Sequence, residues 1–320
     1  MIFFVGINDA EIVPLTSFWR RKAMSVISAR QGSTTRSISP THGRWHRKSE
    51  EPLSGTLLKS ATEKILRRQR RASMDYIRIT EDNIDGEHIC CAMSGKQSLV
   101  KKEWLRQRFA EELVFYRSRE RGKCFIEYIP AEYAWLPIQA EGYLYINCLW
   151  VSGSMKGHGY SSELLSECIR DAKEQGKKGI CILCAEGRKR EFLADPKFLK
   201  YKGFKVADIS DCGINLMYLS LAEDAEQPRF KECARHPKVR EMGFVLYYTD
   251  QCPFTYYWVP KVQEAAKEHG ISFQAFHITD KEAAQNVPAP VTTYALFRDG
   301  EFLTQGIQSD KKFLALAGIK

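Results

Sequence analysis

The stretch Tyr143–Gly176 constrains the fold more than any other part of this 320-residue chain. Every second residue between Leu144 and Trp150 is apolar, the period of two that is typical of a β-strand. Apolar residues then recur at helical spacing across Leu164–Ala172, with charged residues on the opposite face. The glycine-bearing turn Gly153–Tyr160 joins these two elements. Because glycine accepts backbone conformations closed to other residues, successive N–H groups can converge at the helix N-terminus, where the helix dipole favours anions.

This strand, turn and helix together predict a site for the pyrophosphate of a cofactor. The alternative is a tight turn with a purely structural purpose. A dinucleotide site of the Rossmann type is disfavoured, because it needs a third glycine and an acidic residue after the next parallel strand, and neither is well placed.

The net charge of +9 is carried entirely by the first 73 residues. Residues 1–73 hold 14 lysine and arginine residues and 5 acidic residues, so the remainder of the chain is neutral. A neutral remainder gives no support to a nucleic-acid partner for the folded part. We expect residues 1–73 to be a disordered basic leader, or sequence upstream of a natural start at Met74. An organelle transit peptide and a nucleic-acid-binding arm remain open for this segment.

The ten cysteines do not indicate a disulfide scaffold. The chain is long, shows no secretory signal, and places most of its cysteines in apolar runs, as buried thiols are. The predicted location is therefore the cytoplasm, and no apolar run approaches the roughly 20 residues that a membrane span needs. Cys181 and Cys184 have CxxC spacing, but residues three apart in a strand point to opposite faces, so no metal site is predicted.

From Met74 onward the pattern predicts an α/β protein in two parts. A mixed, largely antiparallel sheet with inserted helices is expected over residues 74–222, a polar linker over 223–242, and a second, smaller α/β unit over 243–320. Besides the helix of the opening stretch, the predicted helices are Lys101–Leu113, Phe198–Gly203, Thr255–His269 and Lys311–Ala317. The further predicted strands are Tyr76–Thr80, Cys124–Ile129, Gly179–Cys184, Phe204–Ile209, Ile214–Leu221, Phe244–Tyr248, Ser272–Ile278, Thr293–Phe297 and Phe302–Thr304.

A second candidate site begins at Cys252. This residue follows a predicted strand and opens a predicted helix, a place where the helix dipole lowers a thiol pKa and favours the thiolate. Thr255 stands where a second cysteine would complete a CxxC pair, so an internal disulfide cannot form there. Cys252 is therefore either a monothiol that attacks disulfides or a capping or substrate-contact residue of a binding domain.

The glycine turn and its flanking elements resemble motif A of the GNAT acetyltransferases, whose backbone amides hold the pyrophosphate of acetyl-CoA. Gly157 and Gly159 match the family pattern, whereas Ser154 stands where glutamine or arginine is usual. The resemblance implies a GNAT fold, acetyl-CoA as co-substrate, and direct transfer of the acetyl group to an amine of a small molecule or peptide. The cofactor-binding residues that it implies are Leu149, Trp150, Val151, Met155, Lys156, Gly157, His158, Gly159, Tyr160 and Ser161.

Candidates for the proton transfers come from two further places. Residues 198–204 resemble the late GNAT motif in which a tyrosine protonates the departing thiolate, but Leu199 occupies the place of that tyrosine and Tyr201 lies two residues further on. Tyr201 is therefore either the acid or an ordinary aromatic residue. Glu127 and Glu132 are candidate bases for the attacking amine, and a solvated or paired charge is the alternative for each.

The region after the linker resembles the YoaP-like domain and, within it, the thioredoxin fold. Pro260 lies eight residues after Cys252, as the helix-kinking proline of thioredoxins does, and Pro290 resembles the thioredoxin cis-proline. The resemblance implies that the C-terminal domain assists acceptor binding or thiol handling. A monothiol redox protein with an acetyl-CoA-sensing GNAT domain is the alternative, and the oligomeric state is left open.

Overall fold

The computed structural model describes residues 74–89, 91, 95–187 and 191–319, so the predicted leader lies outside the described residues. We use "N-terminal part" for residues 74–222 and "C-terminal part" for residues 243–319. The elements of the N-terminal part are β1 (Tyr76–Ile79), α1 (Lys96–Phe109), β2 (Val114–Ser118), β3 (Lys123–Pro130), β4 (Ile138–Gln139), β5 (Tyr143–Ser152), α2 (Tyr160–Glu174), β6 (Gly179–Ala185), α3 (Pro196–Tyr201), β7 (Lys205–Ile209) and β8 (Ile214–Ser220).

The N-terminal part is built on a seven-stranded sheet in the order β1-β2-β3-β5-β6-β8-β7. The β5 and β6 strands are parallel, and the other neighbouring pairs of this sheet are antiparallel. A mixed, largely antiparallel sheet with helices was predicted, and it is confirmed. The strand, turn and helix expected over 143–176 are also present, and α2 buries Leu164, Leu165, Cys168 and Ala172.

The sheet splits between β5 and β6. These strands pair only from Tyr143 opposite Gly179 to Ile146 opposite Ile182, although β5 continues to Ser152. Beyond Ile146, β5 keeps its partner β3 on one side and leaves the side toward β6 unpaired. Diverging parallel strands open a cleft in the middle of a sheet, and this cleft positions the site described below.

The C-terminal part contains a four-stranded sheet of its own, made of β10 (Phe244–Tyr248), β11 (Phe273–His277), β12 (Tyr294–Arg298) and β13 (Glu301–Thr304) in the order β11-β10-β12-β13. The first two strands in this order are parallel, and β12 and β13 are added antiparallel. Every peptide bond among the described residues is trans, so the cis bond expected from the resemblance of Pro290 is wrong. The helices of this part are α5 (Pro253–Glu268), α6 (Lys281–Ala284) and α7 (Asp310–Leu316).

The predicted linker folds against the sheet that precedes it. It forms β9 (Arg229–Phe230), which pairs with β4, and the short helix α4 (Glu232–Arg235). Phe230 is buried, and Arg235 forms an ion pair with Asp208 at 2.8 Å. The segment between the two parts is therefore anchored to the N-terminal part at Phe230 and Arg235.

The two parts share one apolar core. Val245, Ala284 and Phe297 of the C-terminal part belong to the same buried cluster as Trp104 and Trp135 of the N-terminal part. Apolar side chains buried in one continuous cluster stabilise both parts together. No helix of the described residues is long and apolar enough to cross a bilayer.

Candidate active site

The glycine turn presents an uncovered row of backbone amides. Gly153, Gly157 and Gly159 have φ angles of 67°, 77° and 85°, and a Cβ added at any of them would meet no atom within 4 Å. The N–H groups of Gly157, His158 and Gly159 donate no hydrogen bond to any residue that the structure describes. Because these donors stand at the N-terminus of the 15-residue helix α2, the turn can hold a phosphate group.

A cavity occupies the cleft between β5 and β6 and is closed by the C-terminal part. The space between its walls is about 1310 Å³, open solvent included. Seven consecutive residues of β5, Tyr145–Val151, form one wall, and the glycine turn begins two residues beyond Val151. A ligand bound at the turn can therefore extend along β5 into the cavity. The C-terminal part contributes Gln251, Cys252, Pro253, Phe254, Val291, Thr292, Thr293, Gln305 and Ile307.

Hydrogen bonds across the interface hold this cover in place. Gln285 donates from Nε2 to the carbonyl oxygens of Glu132 at 3.1 Å and Ala134 at 2.9 Å. Thr292 donates from its hydroxyl to the carbonyl oxygen of Trp135. The cavity wall made by the C-terminal part is thus fixed to the N-terminal part at several points.

A buried ion pair lies in the cavity wall. The Lys101 ammonium donates to Glu127 Oε2 at 2.5 Å, and Asn147 Nδ2 donates to Glu127 Oε1 at 3.0 Å. Both charged residues are only 1% exposed, and they are the only charged residues among the described lining residues. An ion pair removed from water gains little stability over well-packed apolar groups, so its place in a cavity wall favours a role in binding or chemistry.

Cys252 lines the same cavity, at the N-cap of helix α5. Burial raises the pKa of its thiol to about 11, although the amides of Phe254 and Thr255 and the charge of Lys101 act in the opposite direction. The thiolate predicted from the helix dipole is therefore wrong for this state of the protein. Desolvation outweighs the dipole, and Cys252 is a neutral thiol at neutral pH.

The structure brings some of the predicted site residues to the cavity and leaves others outside it. Glu127, on β3, lies in its wall, and Leu149, Trp150 and Val151 line it from β5. The other predicted cofactor residues lie in the turn and the first turn of α2; these are Met155, Lys156, Gly157, His158, Gly159, Tyr160 and Ser161.

Two predicted catalytic residues are not brought to the cavity. Glu132 is exposed and accepts a hydrogen bond from the Gly142 amide at 2.6 Å. Tyr201 is 65% exposed, whereas Leu199 on the same helix is fully buried. Residues two apart on an α-helix lie roughly 200° apart around its axis, so Tyr201 faces away from the side that Leu199 buries.

Sequence reasoning missed Lys101 and Asn147. A signal for Lys101 was present, because it precedes Trp104 and Leu105 by three and four residues and therefore shares their buried face of α1. A lysine on the apolar face of a helix is rarely buried without a partner. The signal for Asn147 was weaker, since a polar residue in an alternating strand is ordinary.

Comparisons with known proteins agree with this geometry. A model of the acetyltransferase (GNAT) family matches residues 86–190, and a YoaP-like family model matches residues 272–314. The uncharacterized N-acetyltransferase YoaP of Bacillus subtilis (strain 168) is 44% identical over 244 residues, which cover 75% of this chain and 97% of that protein.

Two solved structures are similar to the chain over about half its length. A GNAT family acetyltransferase from Brucella melitensis in complex with acetyl-CoA is 14% identical, with a TM-score of 0.32, covering 48% of this chain and 92% of that chain. The GNAT family N-acetyltransferase YhbS from Escherichia coli in complex with CoA is 12% identical, with a TM-score of 0.35, covering 50% and 92%.

Proposed function

The chain belongs to the GNAT N-acetyltransferases that carry a YoaP-like C-terminal domain, and from this premise we propose how it uses acetyl-CoA and an amine. The acetyl group passes directly from acetyl-CoA to an amine of a small molecule or peptide. The observation that carries the proposal is the continuity of the uncovered amide turn with a cavity that holds a buried carboxylate, Glu127.

The donor would bind along β5. Its pyrophosphate accepts hydrogen bonds from the amides of residues 157–159, and its pantetheine arm lies along Leu149–Val151. This arm carries amide groups, and the side of β5 toward β6 offers unpaired backbone donors and acceptors after Ile146. An extended ligand can add to such an edge in the manner of a further strand.

Glu127 would act as the general base. The acceptor amine loses a proton to this carboxylate, directly or through a water molecule, and its nitrogen attacks the thioester carbonyl. The new C–N bond forms as the C–S bond breaks, and the CoA thiolate leaves and takes up a proton. Holding the amine against an activated thioester supplies much of the rate, so the chemistry does not depend on Tyr201 as an acid.

The C-terminal part would assist acceptor binding. Residues 251–254 and 291–293 line the cavity, and Cys252 contacts the acceptor as a neutral thiol. A thioredoxin-like fold for residues 243–320 is supported by the order β-α-β-α-β-β-α and by the parallel first pair of strands. We retain domain limits of 74–222 and 243–320, a linker at 223–242, and a cytoplasmic location as parts of the proposal.

The test combines binding with turnover in purified protein. Calorimetry measures acetyl-CoA binding, and CoA release is followed with a panel of amines. Glu127→Gln is expected to lower kcat about 100-fold or more while acetyl-CoA still binds. Glu132→Gln is the matched control, since that exposed carboxylate lies outside the cavity and its loss leaves kcat unchanged. Folded protein that binds no acetyl-CoA overturns the proposal.

A further inference from the structure

The Lys101 ammonium has hydrogen-bonding capacity that the described residues do not use. An ammonium carries three N–H donors, and Glu127 is the one hydrogen-bond acceptor that the described residues supply to it. The aromatic rings of Trp104 and Phe115 lie 6.0 and 5.9 Å from its nitrogen. A lysine that is 1% exposed and lines a cavity thus keeps donors for a ligand.

The charges of the cavity wall favour one class of acceptor. The charges of Lys101 and Glu127 sum to zero. A simple amine enters as an ammonium ion and brings the summed charge of the wall and the acceptor to +1. A polyamine raises that sum further. An α-amino acid enters as a zwitterion and leaves the sum at zero. Uncompensated charge in a desolvated site is costly, so the zwitterion fits best.

Resting on the proposed function, we propose that the acceptor is a free α-amino acid and that Lys101 binds its carboxylate. Glu127 faces the acceptor ammonium and takes one proton from it before attack. Once Glu127 is neutral, the positive charge of Lys101 is balanced by the acceptor carboxylate. The same residue pair therefore matches the acceptor before and after the proton transfer.

The rest of the wall selects the side chain of this amino acid. Aromatic and aliphatic residues dominate it, among them Phe125, Trp135, Tyr145, Phe254 and Val291. An apolar or aromatic side chain gains by burial against them, whereas a second charged group finds no partner among the described lining residues. Peptides fit less well, because they separate the free amine from the free carboxylate.

Wild-type protein tests the proposal with matched compounds. L-phenylalanine is compared with phenethylamine, which lacks only the carboxylate, and L-leucine with 3-methylbutylamine. Acetylated product is measured by mass spectrometry. We expect kcat/KM to be about 100-fold higher for the amino acid of each pair, in line with a buried charge pair. Equal rates within both pairs, or a preference for the amine, overturn the proposal.

A variant assigns the preference to Lys101. Lys101→Met is expected to lower kcat/KM for L-phenylalanine about 100-fold and to bring its ratio to phenethylamine close to one. Lys102→Met is the matched control, because Lys102 is the next residue of α1 and donates to the Asp85 carbonyl at the surface. Preserved discrimination in folded Lys101→Met protein overturns the assignment.

These outcomes separate the two proposals. Acetyl-CoA binding measured by calorimetry tests the proposed function alone, and so does acetylation of any amine. If acetyl-CoA binds and a polyamine or a peptide is the better substrate, the amino-acid proposal fails and the proposed function stands. If Lys101→Met does not fold, the wild-type comparison still decides.

Discussion

At the scale of single residues, Cys252 shows how local sequence and three-dimensional burial can act in opposite directions. The amides of Phe254 and Thr255, at the start of the helix that follows Cys252, both lower its thiol pKa, as the sequence predicts. Burial raises the pKa more, because walls from both parts of the chain remove water from the thiol. This burial comes from residues more than a hundred positions away, such as Asn147 and Cys148, and no local pattern contains it.

The raised pKa of Cys252 predicts how the alkylation rate of its thiol depends on pH. Only the thiolate attacks iodoacetamide, and a thiol with a pKa of about 11 stays mostly protonated below that value. Its alkylation rate should therefore rise about tenfold per pH unit from pH 8 to pH 10 without levelling off. Peptide mass spectrometry follows Cys252, glutathione gives the rate of a free thiol, and circular dichroism verifies the fold at each pH. A plateau between pH 8 and pH 10 would contradict the burial argument.

At the scale of elements, the sequence predicted what local signals encode. The strand, turn and helix of 143–176 are all present, because alternation, glycines and a helical stripe each occur within a few residues of one another. Helix α1 spans Lys96–Phe109, so the helical stretch predicted over Lys101–Leu113 is present but ends at Phe109. The strand β2 was missed, since its apolar and polar residues do not alternate and its strand pairing depends on β1 and β3.

The glycine turn gives a prediction at this scale. A valine at position 159 would place its side chain in the space above the amide row, so we expect acetyl-CoA affinity to fall at least tenfold by calorimetry. Gly176→Val is the matched control. Gly176 has a φ of 65° and the same open surroundings, but it lies beyond the far end of α2. Both variants carry similar backbone strain, roughly 1–2 kcal/mol. An equal loss of affinity in the two variants would therefore show that the turn is not part of the donor site.

At the scale of the whole molecule, residues of both parts together form the candidate site. The sequence indicated two separate motifs, at the glycine turn and at Cys252, and the structure places Cys252 in a cavity that begins next to that turn. Glu127 was named from the sequence as a candidate base, on the predicted strand Cys124–Ile129. Its pairing with Lys101, and the closure of the cavity by residues 291–293, depend on contacts between distant segments, and a single sequence contains no direct signal for those.

The shared core predicts how the protein unfolds. Because Val245 and Phe297 pack in the same buried cluster as Trp104 and Trp135, we expect the two parts to unfold together. Calorimetry should show one transition, with equal calorimetric and van't Hoff enthalpies. Thr292→Val removes the hydroxyl that donates to the Trp135 carbonyl and leaves that carbonyl buried without this donor. The cost is about 1–3 kcal/mol, so the whole transition should move to lower temperature. Two separate transitions, or a shift confined to one part, would show that the parts unfold independently.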